Sequence, residues 1–108
     1  MMSEVVLPSN LVPIKDVNVE KVQNIGRFAV EMNNWIGGCP LIYKRVVNGM
    51  SSQIKVRLPR MLYIIVIEAI NDDRISRSYI AKVDVFIFHE LPHNLLSFED
   101  VLKDFYEH

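Results

Sequence analysis

The sequence predicts an α+β domain, with one α-helix packed across an antiparallel sheet of four to five strands. Three observations lead there. A single run, ending near Asn34, repeats apolar residues at helical spacing. From Leu41 onward the apolar residues either alternate with polar ones or form short β-branched runs. Turn signals separate these runs closely enough that successive strands are hairpin neighbours, which makes them antiparallel.

Residues 1–13 mix apolar and polar side chains with Pro8 and Pro13, and read as an extended, partly mobile arm. Asp16 or Asn18 is the expected N-cap, able to accept from the first free backbone N–H groups. Val22, Ile25, Ala29 and Met32, with Phe28 beside them, then form the core-facing stripe. Gly26 in that helix costs about 1 kcal/mol relative to Ala. The expected compensation is a close approach of the helix to the sheet. Asn33-Asn34 and Gly37-Gly38 end the helix.

Leu41 to Val47 reads as a strand, and Asn48-Gly49 as a turn. Gln53 to Leu58 alternates until Pro59 removes a ladder donor. Met61 to Ala69 is a strong strand, and Asn71-Asp72-Asp73 is a turn. Ser78 to Phe88 follows with Tyr79, Ala81, Val83, Val85 and Ile87 on one face, and His89 to Asn94 is a loop. The last segment has two readings at this point. Ser97 and Asp100 make a capping-box pattern ahead of Phe98, Val101, Leu102 and Phe105 at helical spacing. The same residues also suit a strand.

At 108 residues, half of them apolar, the chain is one domain with a single modest core. The net charge of −1 gives no reason to expect nucleic acid or membrane as a partner. Charge is nonetheless uneven: no acid falls between Met32 and Ile67, where Lys44, Arg45, Lys55, Arg57 and Arg60 lie. With Cys39 as its one cysteine the chain forms no internal disulfide, and it suits a reducing compartment. The N-terminus carries Glu4 and no apolar leader, so the expectation is a cytosolic protein or one whose leader has been removed.

Enzymatic chemistry is not expected, and no cofactor is. Nothing in the sequence places a base beside Cys39. His89, Glu90 and His93 have suggestive spacing but come from one segment, and they read as surface loop residues rather than metal ligands. Trp35 reads as a core or rim residue.

Ile25-Gly26-Arg27-Phe28-Ala29-Val30, closed by Asn34, resembles the helix pattern of the plant cystatins, inhibitors of papain-like cysteine proteases. Met32 and Asn33 depart from that pattern, which has an acidic residue and then an aromatic or His. The resemblance extends from Leu11 to Phe98. It includes Pro13-Ile14-Lys15-Asp16 before the helix and Leu41 to Gly49 as the second strand. It continues through Tyr63 with Ile67-Glu68-Ala69, and Tyr79 with Ala81-Lys82-Val83. It implies a cystatin-like fold, a short final strand near Leu95 to Val101, and a papain-like cysteine protease as partner.

In that family three segments form a wedge that fills the protease cleft: an N-terminal Gly or Gly-Gly, a first hairpin with Q-x-V-x-G, and a second hairpin with Pro-Trp. Here Ser9-Asn10 takes the place of the glycines. The first hairpin has Gln53-Ile54-Lys55-Val56-Arg57, with Lys for Val and Arg for Gly. The chain is a few residues longer before Tyr63, and Val56 to Arg60 is a second possible register. Ile87-Phe88 replaces Pro-Trp. The resemblance therefore implies an inhibitor of weak or restricted action. The alternative is a non-inhibitory interaction module on the same scaffold, whose basic first hairpin meets an acidic partner.

A homodimer is the remaining expectation. Tyr63, Ile65 and Ile67 point one way, and Leu62, Ile64 and Val66 the other, so both faces of this strand are apolar. Association would be face to face, or by exchange with Met50 to Arg60 as hinge. Otherwise Trp35, or Phe98, Leu102 and Phe105, would cover the second face.

Overall fold

The computed structural model describes residues 11–54, 60–86 and 92–101, with the side chains of Ile54, Pro92 and His93 outside the description. Apolar periodicity produces one helix, α1, Glu20–Trp35. It buries Val22, Ile25, Gly26, Ala29 and Val30, so Val30 occupies the buried stripe where Met32 was expected. Neither Asp16 nor Asn18 caps it. The N-cap is Val19, without a side-chain cap bond. Asp16 Oδ1 instead accepts from the Asn18 backbone N–H at 2.9 Å, closing a turn one step earlier. At the other end Gly37 takes φ 96°. Gly38 N–H donates to Asn33 O at 2.9 Å and Gly37 N–H to Asn34 O at 3.4 Å, a Schellman arrangement.

The remaining elements are strands: β1 Val12–Pro13, β2 Ile42–Ile54, β3 Arg60–Ile70, β4 Ser76–Phe86 and β5 Pro92–Asp100. They form one five-stranded sheet in the order β1-β2-β3-β4-β5. Every neighbouring pair is antiparallel. With α1 across one face, this is an α+β arrangement consistent with a cystatin-like fold. The end of the N-terminal arm is thus a short edge strand, with Val12 opposite Ser51 and Pro13 opposite Met50.

Asn48-Gly49 is not a turn. β2 runs through it for 13 residues, with register shifts between Tyr43 and Arg45 and between Val46 and Asn48. Each bulge advances the strand by one extra residue. Tyr43, Val46 and Gly49, three apart in sequence, therefore all pair with helix-facing residues of β3: Ala69, Ile67 and Ile65. Gly49 is required by proximity: a Cβ there would stand 2.9 Å from Ile65 Cγ2 and 3.1 Å from Ile64 O. The helix closes on this face at Gly26, where a Cβ would lie 2.5 Å from Val46 Cγ2 and 3.0 Å from the Tyr43 ring. The close approach expected of that glycine is present.

Gln23, one turn before Gly26, stitches the helix down. Its Nε2 donates to Val17 O at 2.6 Å and to Val46 O at 3.2 Å. Its Oε1 accepts from Val46 N–H at 3.0 Å and from the Tyr43 hydroxyl. Arg27 lies over the Tyr43 ring, 5.2 Å from its centroid.

β3 and β4 bury Tyr63, Ile65, Ile67, Tyr79, Ala81, Val83 and Val85 against α1, as their alternation indicated. Asn71 Oδ1 caps the turn between them, accepting from Asp73 and Ile75 N–H, each at 2.9 Å. The final segment is a strand, and it starts at Pro92, so the expected loop is shorter by Pro92 to Asn94. Tertiary packing overrides its helical spacing: Phe98 stacks on Tyr79, with centroids 5.3 Å apart, and Leu95 and Phe98 pack against the core. Phe98 therefore belongs to the helix side and does not cover the open face. Leu102 and Phe105 lie outside the described residues.

Two predictions follow from the helix–sheet contact. Gly26→Ala improves helix propensity, but its Cβ meets a buried Val46, so overpacking wins and stability drops by about 1–3 kcal/mol in urea unfolding. Adding Val46→Ala should recover part of that loss; strict additivity would place the clash elsewhere. The second concerns alkaline pH. Burial, outweighing the opposing influences of Arg27 and the Val46 backbone, raises the Tyr43 pKa above 10.0. Burial, then Asp100, raises that of Tyr79. A raised folded-state value means the stability contribution is complete below the unfolded value of 10.0 and is lost as pH rises beyond it. Tyr43→Phe should lessen the loss of stability above that pH without abolishing it, since Tyr79 contributes with the same sign.

Candidate functional site

Strand register decides which end of the sheet each loop occupies. β2 and β3 close on each other at Ile54 and Arg60, bracketing residues 55–59. Arg60 also faces Phe86, the last residue of β4, and β5 resumes with Pro92 opposite Val85, bracketing residues 87–91. β1 opens at Val12 opposite Ser51, only three positions before Ile54 on β2. The points of attachment of the N-terminal arm, the first hairpin and the second hairpin therefore share one end of the sheet.

Of the site residues expected from sequence, Gln53 is exposed at this end and paired with Met61, and the backbone of Ile54 ends β2. Ser9, Asn10, Lys55, Val56, Arg57, Ile87 and Phe88 lie outside the described residues, as do His89 and Glu90. The expected exchange hinge contracts, because Met50 to Ile54 belongs to β2 and Arg60 to β3.

Arg60 is not a free cation of a basic patch. Its Nη1 donates to Asp84 Oδ2 at 2.8 Å, with the Arg60 side chain 32% exposed and that of Asp84 8% exposed. Ser52, Leu62 and Asp84 form one row across β2, β3 and β4 on the face away from α1, and all three are buried. Ser52 Oγ, Asp84 Oδ1 and Arg60 Nε have no hydrogen-bond partner. A cavity of about 50 Å³ is lined by Arg60, Asp84, Phe86 and Asn94. Sequence reasoning missed Asp84, because an acid on the solvent-facing phase of a strand gives no sign of burial.

A wider cleft, about 360 Å³, opens at the opposite end, with Asn33, Cys39, Leu41, Asp72, Arg77 and Tyr79 among its lining. Arg77 pairs with Asp100 there at 2.9 Å. Cys39 is exposed, and no histidine is among the described residues that line the cleft beside it. The arrangement offers a concave polar surface on which Asp72, Asp73 and Asp100 accompany Arg77.

Trp35 is 82% exposed rather than a core or rim residue. It follows Ala29 by six residues, which turns it about 240° around the helix from that buried position. The sequence matches no family model and no curated protein.

Trp35→Ala should therefore change stability by less than about 0.5 kcal/mol. As the chain has one tryptophan, its fluorescence reports this site alone. The native protein should show the emission of a hydrated indole, readily quenched by iodide. A blue-shifted, shielded emission would contradict the exposed placement.

Proposed function

We propose that the protein inhibits papain-like cysteine proteases, weakly or with a restricted range of targets, through the end of the sheet where its three loops attach. The observation that carries this reading is the convergence of those attachments. A cleft-filling inhibitor needs several segments presented side by side from a rigid edge, with no cleavable bond in register. The antiparallel register supplies such an edge, and Gln53 stands exposed on it. The resemblance to the plant cystatins supplies the target class.

The departures at this edge set the expected strength. Lys55 and Arg57 stand where the resembling family has Val and Gly, so each brings a charge to be desolvated at the contact. Arg57 also removes the backbone freedom that Gly gives a tight hairpin. Phe88 in place of Trp keeps an aromatic anchor of smaller area, a change worth about 1–3 kcal/mol at a hot spot.

The same basic residues favour a second reading, a non-inhibitory module that binds an acidic partner. Titration against papain and a legumain-type protease separates the two. The inhibitor reading expects measurable papain inhibition, with Lys55→Val/Arg57→Gly lowering the inhibition constant about tenfold, since a single desolvated charge at an interface is worth at least that much. No inhibition by either form, together with partner capture that Arg57→Glu abolishes, would replace it with the second reading.

A further inference from the structure

The ion pair between Arg60 and Asp84 sits at the roots of two of the three segments. Arg60 opens β3 at the point where the first hairpin returns to the sheet. Asp84 lies near the end of β4, just before the second hairpin departs. Because Arg60 faces Phe86 and Leu62 faces Asp84, the bond crosses the β3–β4 ladder diagonally. It therefore braces the root of one hairpin against the root of the other.

The pair joins a buried carboxylate to a half-buried guanidinium through one bond. A carboxylate this buried needs its partner, and removing either side strands a charge. Arg60 Nη1 makes a single hydrogen bond to Asp84 Oδ2, and Arg60 Nε and Asp84 Oδ1 have no partner among the described protein atoms. Apolar side chains of similar volume are often as stabilising as a buried ion pair. What they would lose is direction, since a hydrogen-bonded ion pair fixes an angle and apolar contact does not.

We infer that Arg60 and Asp84 are positioning residues, which hold the ends of β3 and β4 in one fixed relation at the sheet end proposed to face the protease. The functional half of this inference rests on the inhibitor reading; the structural half does not. Holding the strand ends matters because freedom lost on binding subtracts from affinity.

The test compares the full-length wild type with Arg60→Met/Asp84→Leu, Asp84→Asn and Arg60→Lys. Three quantities are read: thermal midpoint, amide hydrogen exchange at Gln53, Ile54, Met61 and Val85, and inhibition of papain. The double variant should melt at or above the wild-type temperature while those amides exchange about tenfold faster and inhibition weakens by about as much, the usual size of coupling between contacting residues. Arg60→Lys keeps a charged donor and should stay within about twofold of wild type in exchange. Asp84→Asn preserves shape and should loosen the same amides, which keeps the test decisive if the double variant does not fold. Unchanged exchange in Asp84→Asn, or in a stable double variant, overturns the positioning role. A wild type that never inhibits papain overturns the inhibitor reading alone, because exchange still decides the brace. Faster exchange with undiminished inhibition overturns the functional half.

Discussion

The outer edge of β2 is the constraint on which the architecture depends. β1 covers it only opposite Met50 and Ser51. Elsewhere the helix supplies the missing strand. Gln23 bonds both the N–H and the C=O of Val46 through its carboxamide. Asn34, about three turns later on the same face of α1, does the same for Leu41, with bonds of 2.9 and 3.0 Å. A carboxamide carries the donor and acceptor of a peptide group, so two side chains satisfy edge groups that would otherwise need a neighbouring backbone. These bonds are possible only because α1 approaches so closely, and that approach requires Gly26. The bulges complete the arrangement by turning Tyr43, Val46 and Gly49 toward the helix. One glycine, two carboxamides and two bulges thus form a single device, and the core beneath α1 is assembled around it.

The opposite face is built on a different principle. Toward the helix, β3 and β4 are aliphatic and aromatic with no charged side chain buried. Away from it, Leu62 shares its row with Ser52 and Asp84, and Arg60 leans over Asp84 from the next position. Among the described residues, Ser52 Oγ, Arg60 Nε and Asp84 Oδ1 lie at the end from which the hairpins depart, on the face the helix does not cover.

Much of the fold was legible in the sequence, for identifiable reasons. β3 and β4 obey strict alternation, so Tyr63, Ile65, Ile67 and Val83 declare their face directly. Gly26 announced a close contact because a helix-interior glycine has no local benefit. β2 was misread because its bulges convert a period of two into steps of three, which alternation cannot detect. Asn48-Gly49 then resembles a hairpin turn, although Val46-Val47 before it and the β3 ladder keep it extended. The N-cap was misplaced because Asp16 satisfies a nearer backbone N–H, leaving Val19 as the boundary. At the candidate site, the place of Gln53 near the end of β2 was legible from the hairpin order. The brace between Arg60 and Asp84 was not, because its members are 24 residues apart. Burial on the uncovered face of a sheet leaves no periodic trace.

Edge protection also limits how two copies can meet. A second chain adding a strand to β2 would have to displace Gln23 from Val46 and Asn34 from Leu41, losing four hydrogen bonds that the monomer already makes. The bulges present it with an uneven row of donors and acceptors, a recognised barrier to edge pairing. At the other edge, the register of β5 against β4 is interrupted next to Leu95 and again next to Pro92, so that strand also lacks a long regular template. The uncovered face has no such protection. Ile64, Val66 and Ile80 lie there half-buried, with Lys82 beside Ile64 and the 3.0 Å Arg45–Glu68 pair toward the far end. Any symmetric contact through this surface must bring Lys82 near a group that can accept it, and the neighbouring Glu99, exposed opposite Ile80, is positioned on the same face to do so.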